Sequence, residues 1–201
     1  MKESSREQFE NSLRIEVGAI SDLSGYLDAG VVSESVDILS HCAKIITCAS
    51  GSSGIAAKKF AHSLCCVERP AVFLSPSEAV HGGLGILQPG DVMIMLSRGG
   101  KTTELFPIAD VCRKKGCKMI LVTENPDSPL AEAADIVILL KISRESDKYN
   151  IMATASFVAS IALFDALLAA IMEETGYRLE QFALIHPGGA VGAELSGPGA
   201  L

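Results

Sequence analysis

The sequence lacks the cysteine spacing that marks metal and disulfide sites. No C-x-x-C pair occurs, and most of the six cysteines stand beside apolar residues: Cys42, Cys48, Cys65, Cys66, Cys112 and Cys117. Disulfide frameworks and metal sites depend on regular cysteine spacing. We therefore expect reduced thiols packed in the core of a cytoplasmic protein, and no bound metal.

Positive charge is also scarce. The 17 Lys and Arg residues face 24 Asp and Glu residues, which gives a formal net charge of −7 at pH 7. Nucleic-acid-binding surfaces need an excess of positive charge, and no basic helix-turn-helix segment precedes the rest of the chain, so we expect no nucleic-acid partner. Residues 1–10 are almost wholly polar and lack the apolar core of a secretory signal.

The chain shows no internal repeat, linker or second domain. Hydrophobic residues make up 48% of the 201 positions and charged residues 20%, as in a globular domain with a real core. Near the N-terminus four apolar residues share one face of a helix predicted over residues 4–27: Phe9, Leu13, Val17 and Ile20. A second helix is predicted to begin at Ser33, a residue type favoured as an N-cap.

Five apolar runs follow, and helical segments separate them, most clearly over residues 102–115. The runs cover residues 45–49, 71–74, 92–96, 119–123 and 136–140. Each run is continuously apolar, which is typical of strands buried on both faces. Alternating strands and helices predict an α/β fold with a parallel sheet and right-handed crossovers.

A long apolar stretch spans residues 151–172, and its only charged residue is Asp165. A membrane span would place this aspartate in lipid at a cost of roughly 2.5–3.5 kcal/mol. We therefore expect a helix buried against the sheet or a second subunit, and no membrane partner. Together with the N-terminal helix, this stretch offers more apolar surface than one sheet covers, so we expect at least a dimer. After it, a short helix is predicted over residues 179–184 and a frayed end at residues 197–199.

Two loops have the composition of an anion site. The first is Ser50-Gly51-Ser52-Ser53-Gly54, between the first strand and a helix, and the second is Ser97-Arg98-Gly99-Gly100-Lys101-Thr102-Thr103, after the third strand. Glycine lets the backbone approach a ligand, and the first N–H groups of a helix attract negative charge. In a sheet of order 2-1-3-4-5 the two loops meet where ligands bind. Two ordinary turns without a ligand are the alternative.

Neither loop completes a nucleotide-binding motif. A dinucleotide fingerprint needs an acidic residue after the second strand, but Ser75 and Pro76 follow Leu74. A P-loop needs its leading glycine at the position of Met95. The two loops therefore favour a ligand other than a nucleotide.

Four motifs occur in an order that resembles a known family. They are Gly51-Ser52-Ser53-Gly54, Glu78-Ala79-Val80-His81-Gly82-Gly83-Leu84-Gly85, Ser97-x-Gly99-Gly100-x-Thr102-Thr103-Glu104 and His186-Pro187-Gly188-Gly189-Ala190. Over residues 44–195 the chain resembles a sugar isomerase (SIS) domain, and within that family the D-arabinose 5-phosphate isomerases. The tandem CBS domains that often follow the SIS domain do not occur in this sequence.

The resemblance implies a flavodoxin-like three-layer αβα sandwich around a five-stranded parallel sheet of order 2-1-3-4-5. It implies one SIS domain over residues 1–201, with N-terminal helices in 1–43 and a sugar-phosphate-binding core in 44–195. It also implies a homodimer or homotetramer with active sites at the subunit interface. The implied reaction is aldose–ketose isomerisation of a sugar phosphate through an enediol, without a cofactor.

The resemblance also assigns candidate site residues. It matches Ser53, Ser97 and Thr102 to phosphate-loop positions, and their neighbours Gly51, Ser52, Arg98 and Thr103 complete the predicted substrate site. It matches four polar residues to the chemistry: Glu104, Glu145, His81 and His186. Carboxylates and imidazoles suit this reaction because it moves a proton between adjacent carbons.

Each assignment has an alternative. Glu104 would be a first-turn helix acid, Glu145 a solvated loop charge, and His81 and His186 structural residues. Glu145 is preferred to Glu104 as the base, because the N-terminus of a helix lowers the pKa of a carboxyl group. A metal held by the two histidines and a glutamate would need a ligand spacing that the sequence does not show.

The loops depart from the family pattern at three positions. Ser52 replaces the usual lysine, Gly99 a serine and Lys101 an acidic residue. The lost lysine favours a non-catalytic domain that binds or senses a phosphosugar, which is the second hypothesis. The retained glutamates and histidines favour the isomerase.

Overall fold

The fold is built around a parallel sheet. The computed structural model describes residues 1–187, and its strands are β1 Ile45–Cys48, β2 Ala71–Phe73, β3 Val92–Leu96, β4 Lys118–Thr123 and β5 Ile136–Leu139. All neighbouring strands are parallel, in the order β2-β1-β3-β4-β5. The predicted α/β fold and strand order are confirmed, and each predicted strand is present with ends shifted by at most one residue.

Burial explains the continuous apolar runs. Every residue of β1 and β3 is buried, and β4 is buried from Met119 onward, because these strands have neighbours on both sides and helices on both faces. The edge strand β2 is only half-buried. A strand whose two faces are both covered cannot show polar alternation.

Helices cover both faces of the sheet. Within residues 1–187 the α-helices are α1 Glu3–Tyr26, α2 Ala29–His41, α3 Gly51–Cys66, α4 Pro76–Ala79, α5 Phe106–Lys115, α6 Pro129–Ala133, α7 Ala155–Glu174 and α8 Leu179–Ile185. Helices α1, α2, α3 and α7 share one core with the sheet, around Leu39 and Phe60. Helices α4, α5 and α6 share the other, around Leu105 and Ile108. The result is the three-layer αβα sandwich that the family resemblance implies.

Helix α7 is the centre of the first helical layer. It contacts α1, α2 and α3, and the Phe164 ring stacks on Phe60 with 4.5 Å between centroids. Its Asp165 forms an ion pair with Lys59. By length and composition α7 could cross a membrane, with a mean hydropathy of 2.1, but the core helix of a globular protein passes the same test. Its packing agrees with the prediction of a buried helix.

Two helix starts differ from the predictions. Helix α2 begins at Ala29 rather than after Ser33, because Asp28 caps it and accepts the Val31 N–H at 2.9 Å. The helix predicted from residue 102 opens with a 3-10 turn over Thr103–Leu105 before α5 begins. Pro107 lies in the first turn of α5, where its missing N–H costs no helical hydrogen bond.

The C-terminal motif is described only in part. Helix α8 extends through Ile185, one residue beyond the prediction, and His186 follows as its C-cap. Positions 188–190 of the histidine-containing motif and the predicted frayed end at 197–199 lie outside the described residues.

Candidate active site

The β1–α3 loop brings the start of a helix to the carboxyl end of the sheet. Gly51 opens α3 with a φ of +60°, and the Gly54 N–H donates to the Ser50 carbonyl at 3.1 Å. The amides of residues 51–53 therefore precede that first helical hydrogen bond. A Cβ at Gly54 would lie 2.7 Å from the Ala49 carbonyl oxygen, so the helix packs this closely on β1 only with glycine there. The loop has the geometry of an anion site.

The β3–α5 loop is its neighbour, because β1 and β3 pair up to Cys48 and Met95. The buried Ser97 holds its Oγ 2.8 Å from Thr102 Oγ1, so the two hydroxyls act as one unit. Gly100 has a φ of +63°, and a Cβ there would come within 1.8 Å of Ser128 Oγ. This turn is therefore built for glycine. The prediction that the two loops meet at the sheet's switch point is consistent with this topology.

Arg98 links three segments of the site. Its Nε donates to Glu124 Oε2 at 2.8 Å, and its Nη1 donates to Glu145 Oε1 at 2.7 Å. Its carbonyl accepts the Thr123 hydroxyl at 3.0 Å, which fixes the backbone to the end of β4. The side chain is thus held between β4 and the segment that leads into α7.

The Glu145 carboxylate is buried against the start of helix α7 rather than exposed to solvent. Besides Arg98, its carboxylate accepts the N–H and the hydroxyl of both Thr154 and Ser156, at 2.5–3.1 Å. Burial raises the pKa of Glu145, but the hydrogen bonds from Ser156 and Thr154 outweigh burial and hold the pKa below its usual range. The alternative of a solvated loop charge is therefore wrong. A carboxylate with five donors and a lowered pKa is a weak base near neutrality.

Glu104 lines a cavity of about 510 Å³ between the β1–α3 loop and the segment that follows β2. Gly51 and Ser50 line the same cavity, together with Lys58. The Thr103 hydroxyl lies 3.1 Å from Glu104 Oε2, and the glutamate is exposed. The cavity has the volume of a small-molecule site and contains one accessible carboxylate and one amine.

A second, smaller cavity of about 30 Å³ lies between this loop and α7. It brings together the predicted residues Ser52, Ser53 and Arg98 with Glu124 and Ser156. Of the predicted site residues, Gly51 and Glu104 line the larger cavity, and Ser52, Ser53 and Arg98 line the smaller one. Neither cavity is lined by four others: Ser97, Thr102, Thr103 and Glu145.

Two residues of these cavities were missed by the sequence analysis. Lys58 stands seven residues after Gly51, on the same face of α3, so helical spacing would have pointed to it. Glu124 directly follows β4, and side chains at the carboxyl ends of parallel strands are the usual ligand contacts.

Neither predicted histidine lines these two cavities. His81 is exposed on the turn after α4, and its N–H donates to the Glu78 carbonyl at 3.2 Å. His186 stacks on Phe182 at 3.7 Å, and its Nδ1 donates to the Phe182 carbonyl at 2.9 Å, which leaves Nε2 as the acceptor. Within residues 1–187 no group of three or more His, Cys, Asp or Glu side chains is arranged to hold a metal ion.

A family comparison matches this architecture. Residues 38–170, more than half of the chain, match the family described as the SIS domain. The chain belongs to the SIS domain family. Arabinose 5-phosphate isomerase KdsD of Pseudomonas aeruginosa is 32% identical over 186 residues, which is 92% of this chain. The SIS domain chain spans only 57% of the length of that relative.

Solved structures show the same fold. A Listeria monocytogenes protein described as a candidate sugar-phosphate isomerase is 44% identical, with a TM-score of 0.90 over 94% of this SIS domain chain and 100% of that chain. An Escherichia coli protein solved in complex with arabinose 5-phosphate is 25% identical, with a TM-score of 0.87 over 93% and 100% of the two chains. The sugar isomerase domain of an RpiR transcription factor from Sphaerobacter thermophilus shares the fold at 18% identity, with a TM-score of 0.72 over 87% and 93%.

Proposed function

We propose that this SIS domain is a sugar-phosphate isomerase of the arabinose 5-phosphate isomerase type, which interconverts an aldose and a ketose phosphate through an enediol. The observation that carries the proposal is the pair of Ser97 and Thr102 hydroxyls on the β3–α5 loop, which follows the strand paired with β1 and so neighbours the β1–α3 loop. The similarity to KdsD and to the protein solved with arabinose 5-phosphate supports the substrate class. The proposal takes residues 44–195 as the sugar-phosphate-binding core of a single domain.

The phosphate binds at the two loops. Ser53, Ser97 and Thr102 supply hydroxyl donors, and the first amides of α3 supply backbone donors where the helix dipole favours negative charge. Ser52, Gly51 and Thr103 complete the loops around the ligand. The paired Ser97 and Thr102 hydroxyls rotate to donate to a bound oxyanion.

Glu104 transfers the proton. It takes the proton from the hydroxyl-bearing carbon next to the carbonyl and returns it to the former carbonyl carbon. The carbonyl oxygen gains the proton that the neighbouring hydroxyl loses, so the carbonyl becomes a hydroxyl and that hydroxyl becomes the new carbonyl. No electron leaves the substrate, so no redox cofactor takes part. Glu104 is favoured over Glu145 because its carboxylate is exposed in the large cavity.

Glu145 is a positioning residue in this proposal. Its carboxylate already accepts five hydrogen bonds, and its task is to hold Arg98 and the start of α7 in place. The preference for Glu145 as the base, which rested on the helix dipole near Glu104, is therefore replaced. Both glutamates stay in the site with different roles.

Assembly completes the site. Phe9, Leu13, Val17 and Ile20 form an exposed apolar stripe on α1, with 42–63% of each residue's surface accessible. A homodimer or homotetramer would cover this stripe. His81 and His186 line neither cavity in one chain, so their chemical role depends on a site shared between subunits.

A second candidate function is a phosphosugar sensor. The saturated Glu145, the serine at position 52 and the histidines outside both cavities favour a domain that binds without turning over. The two functions differ in proton exchange. We expect the protein, incubated with a panel of pentose and hexose phosphates, to interconvert the aldose and ketose forms of at least one. Binding without interconversion of any of them would identify the sensor.

A further inference from the structure

The smaller cavity contains a carboxylate that the proposed reaction does not use. Glu124 lies directly after β4, and its side chain is 25% accessible. The cavity is lined by Ser52 and Ser53 from the phosphate loop, by Arg98, and by Ser156 from α7. Its floor is apolar, formed by Leu96, Leu140 and Phe157 among others.

A series of contacts fixes the orientation of Glu124. Its Oε2 accepts from Arg98 Nε at 2.8 Å, and the same guanidinium donates to Glu145 at 2.7 Å. Glu145 is only 1% accessible and is anchored on the first turn of α7. The Glu124 carboxylate is therefore held by a guanidinium that is itself held by a buried group.

The second oxygen of Glu124 has no such partner. Its Oε1 is buried and accepts no hydrogen bond from any group within residues 1–187. An ionised carboxylate only accepts hydrogen bonds, so the group that satisfies Oε1 must be a donor. A phosphate oxygen or a carbonyl would be repelled, whereas a hydroxyl can donate.

The size of the cavity points to the same kind of group. A volume of about 30 Å³ has room for a water-sized group such as a single hydroxyl. Because Ser52 and Ser53 belong both to this cavity and to the phosphate loop, a sugar held by its phosphate stands within reach of the cavity.

We propose that Glu124 is a specificity-determining residue whose Oε1 accepts a hydrogen bond from one hydroxyl of the bound phosphosugar. This inference rests on the proposed function, because it needs a phosphosugar on the two loops. It assigns sugar selection to the smaller cavity and proton transfer to the larger one. Arg98 then acts on the sugar through Glu124.

The test is a binding cycle with calorimetry. The probes are arabinose 5-phosphate and analogues that each lack one of its hydroxyls, and the proteins are wild type, Glu124→Ala, and Glu132→Ala as an exposed control. For wild type, one analogue should bind roughly 5- to 150-fold more weakly than arabinose 5-phosphate. This range follows from the cost of leaving a buried acceptor unsatisfied, about 1–3 kcal/mol, at about 1.4 kcal/mol per tenfold change in affinity. Glu124→Ala should bind that analogue as tightly as it binds arabinose 5-phosphate. Glu132→Ala should show the same loss of affinity for the analogue as wild type.

Each outcome decides. Equal penalties in wild type and Glu124→Ala, or no penalty for any analogue, overturn the inference and leave the isomerase proposal standing. Failure of wild type to bind any phosphosugar overturns both. Glu124→Gln keeps the volume of the side chain and removes its charge, so a reduced penalty there supports the same conclusion if Glu124→Ala does not fold. Inorganic phosphate should bind all folded variants alike, because the phosphate loops are unchanged.

Discussion

Arg98 Nη1 lies 2.7 Å from Glu145 Oε1, although 44% of the arginine side chain and only 1% of the glutamate side chain are accessible. The ion pair therefore joins a residue of the β3–α5 loop to a buried carboxylate that accepts hydrogen bonds from the start of α7. Because Thr154 and Ser156 bind the same carboxylate, the loop and the helix share one polar network. Any change to Glu145 should first affect the stability of the fold.

Glu145→Gln should lower the free energy of unfolding by about 1.5–3 kcal/mol, the usual worth of hydrogen bonds to a charged group. Glutamine keeps the shape but loses the ion pair and one acceptor site. Urea denaturation followed by circular dichroism measures the change. Glu132→Gln is the control, since exposed substitutions usually stay within about 0.5 kcal/mol. An unchanged unfolding midpoint for Glu145→Gln would show that the network adds no stability.

The stability that Glu145 adds to the wild-type protein should depend on pH. Because the folded pKa of Glu145 lies below its unfolded value of about 4.3, its stabilisation is complete above that pH. It is lost as the pH falls through the folded pKa. The difference in unfolding free energy between wild type and Glu145→Gln should therefore stay constant from about pH 6 to 8 and shrink below about pH 4.3. A difference that grew towards acid pH would contradict the assignment.

Ser97→Ala should weaken binding of arabinose 5-phosphate by about 1.5–3 kcal/mol, because a buried hydroxyl donor to a charged group is removed. Titration calorimetry measures this loss. Ser33→Ala is a matched control, since Ser33 is exposed on α2 and lines neither cavity. Equal affinity for wild type and Ser97→Ala would place the phosphate elsewhere.

The stripe on α1 predicts assembly. Val17 is 63% accessible in one chain, and Val17→Lys should convert a dimer or larger assembly to a smaller one by placing a charge in the contact. Multi-angle light scattering at micromolar concentration measures the mass. Asp22→Lys, on a different face of α1, should assemble as wild type does. A wild-type monomer would contradict the shared site.

The strands of the sheet could be predicted from the sequence because each one is marked by its own neighbouring residues. Strands covered on both faces appear as unbroken apolar runs, and small residues mark the loops that follow them. The predicted start of α2 was wrong because Asp28 and Ser33 are both residue types favoured as N-caps. Which of the two caps the helix depends on where the preceding segment ends. Local sequence cannot rank two such caps.

The site was harder to predict because its contacts join distant segments. Glu145 is 47 residues from Arg98 and 11 from Ser156, so its saturated environment is visible only in three dimensions. Its sequence neighbours, Arg144 and Ser146, indicated a solvated loop. Glu124 and Lys58 belong to no motif, and they join the site only through the packing of α3 against the carboxyl ends of the strands.

The proposed function depends on one step, in which Glu104 moves a proton between two carbons of a sugar phosphate. The most direct measurement is incorporation of solvent deuterium into arabinose 5-phosphate and other pentose and hexose phosphates, for wild type, Glu104→Gln and the control Glu132→Gln. We expect wild type and the control to label at least one substrate. Glu104→Gln should label it about 10²–10⁴-fold more slowly with little change in affinity, because neither loop needs this carboxylate to bind an anion. Labelling by Glu104→Gln at the wild-type rate would contradict this role of Glu104. Wild type that binds these sugars and labels none would contradict the isomerase function.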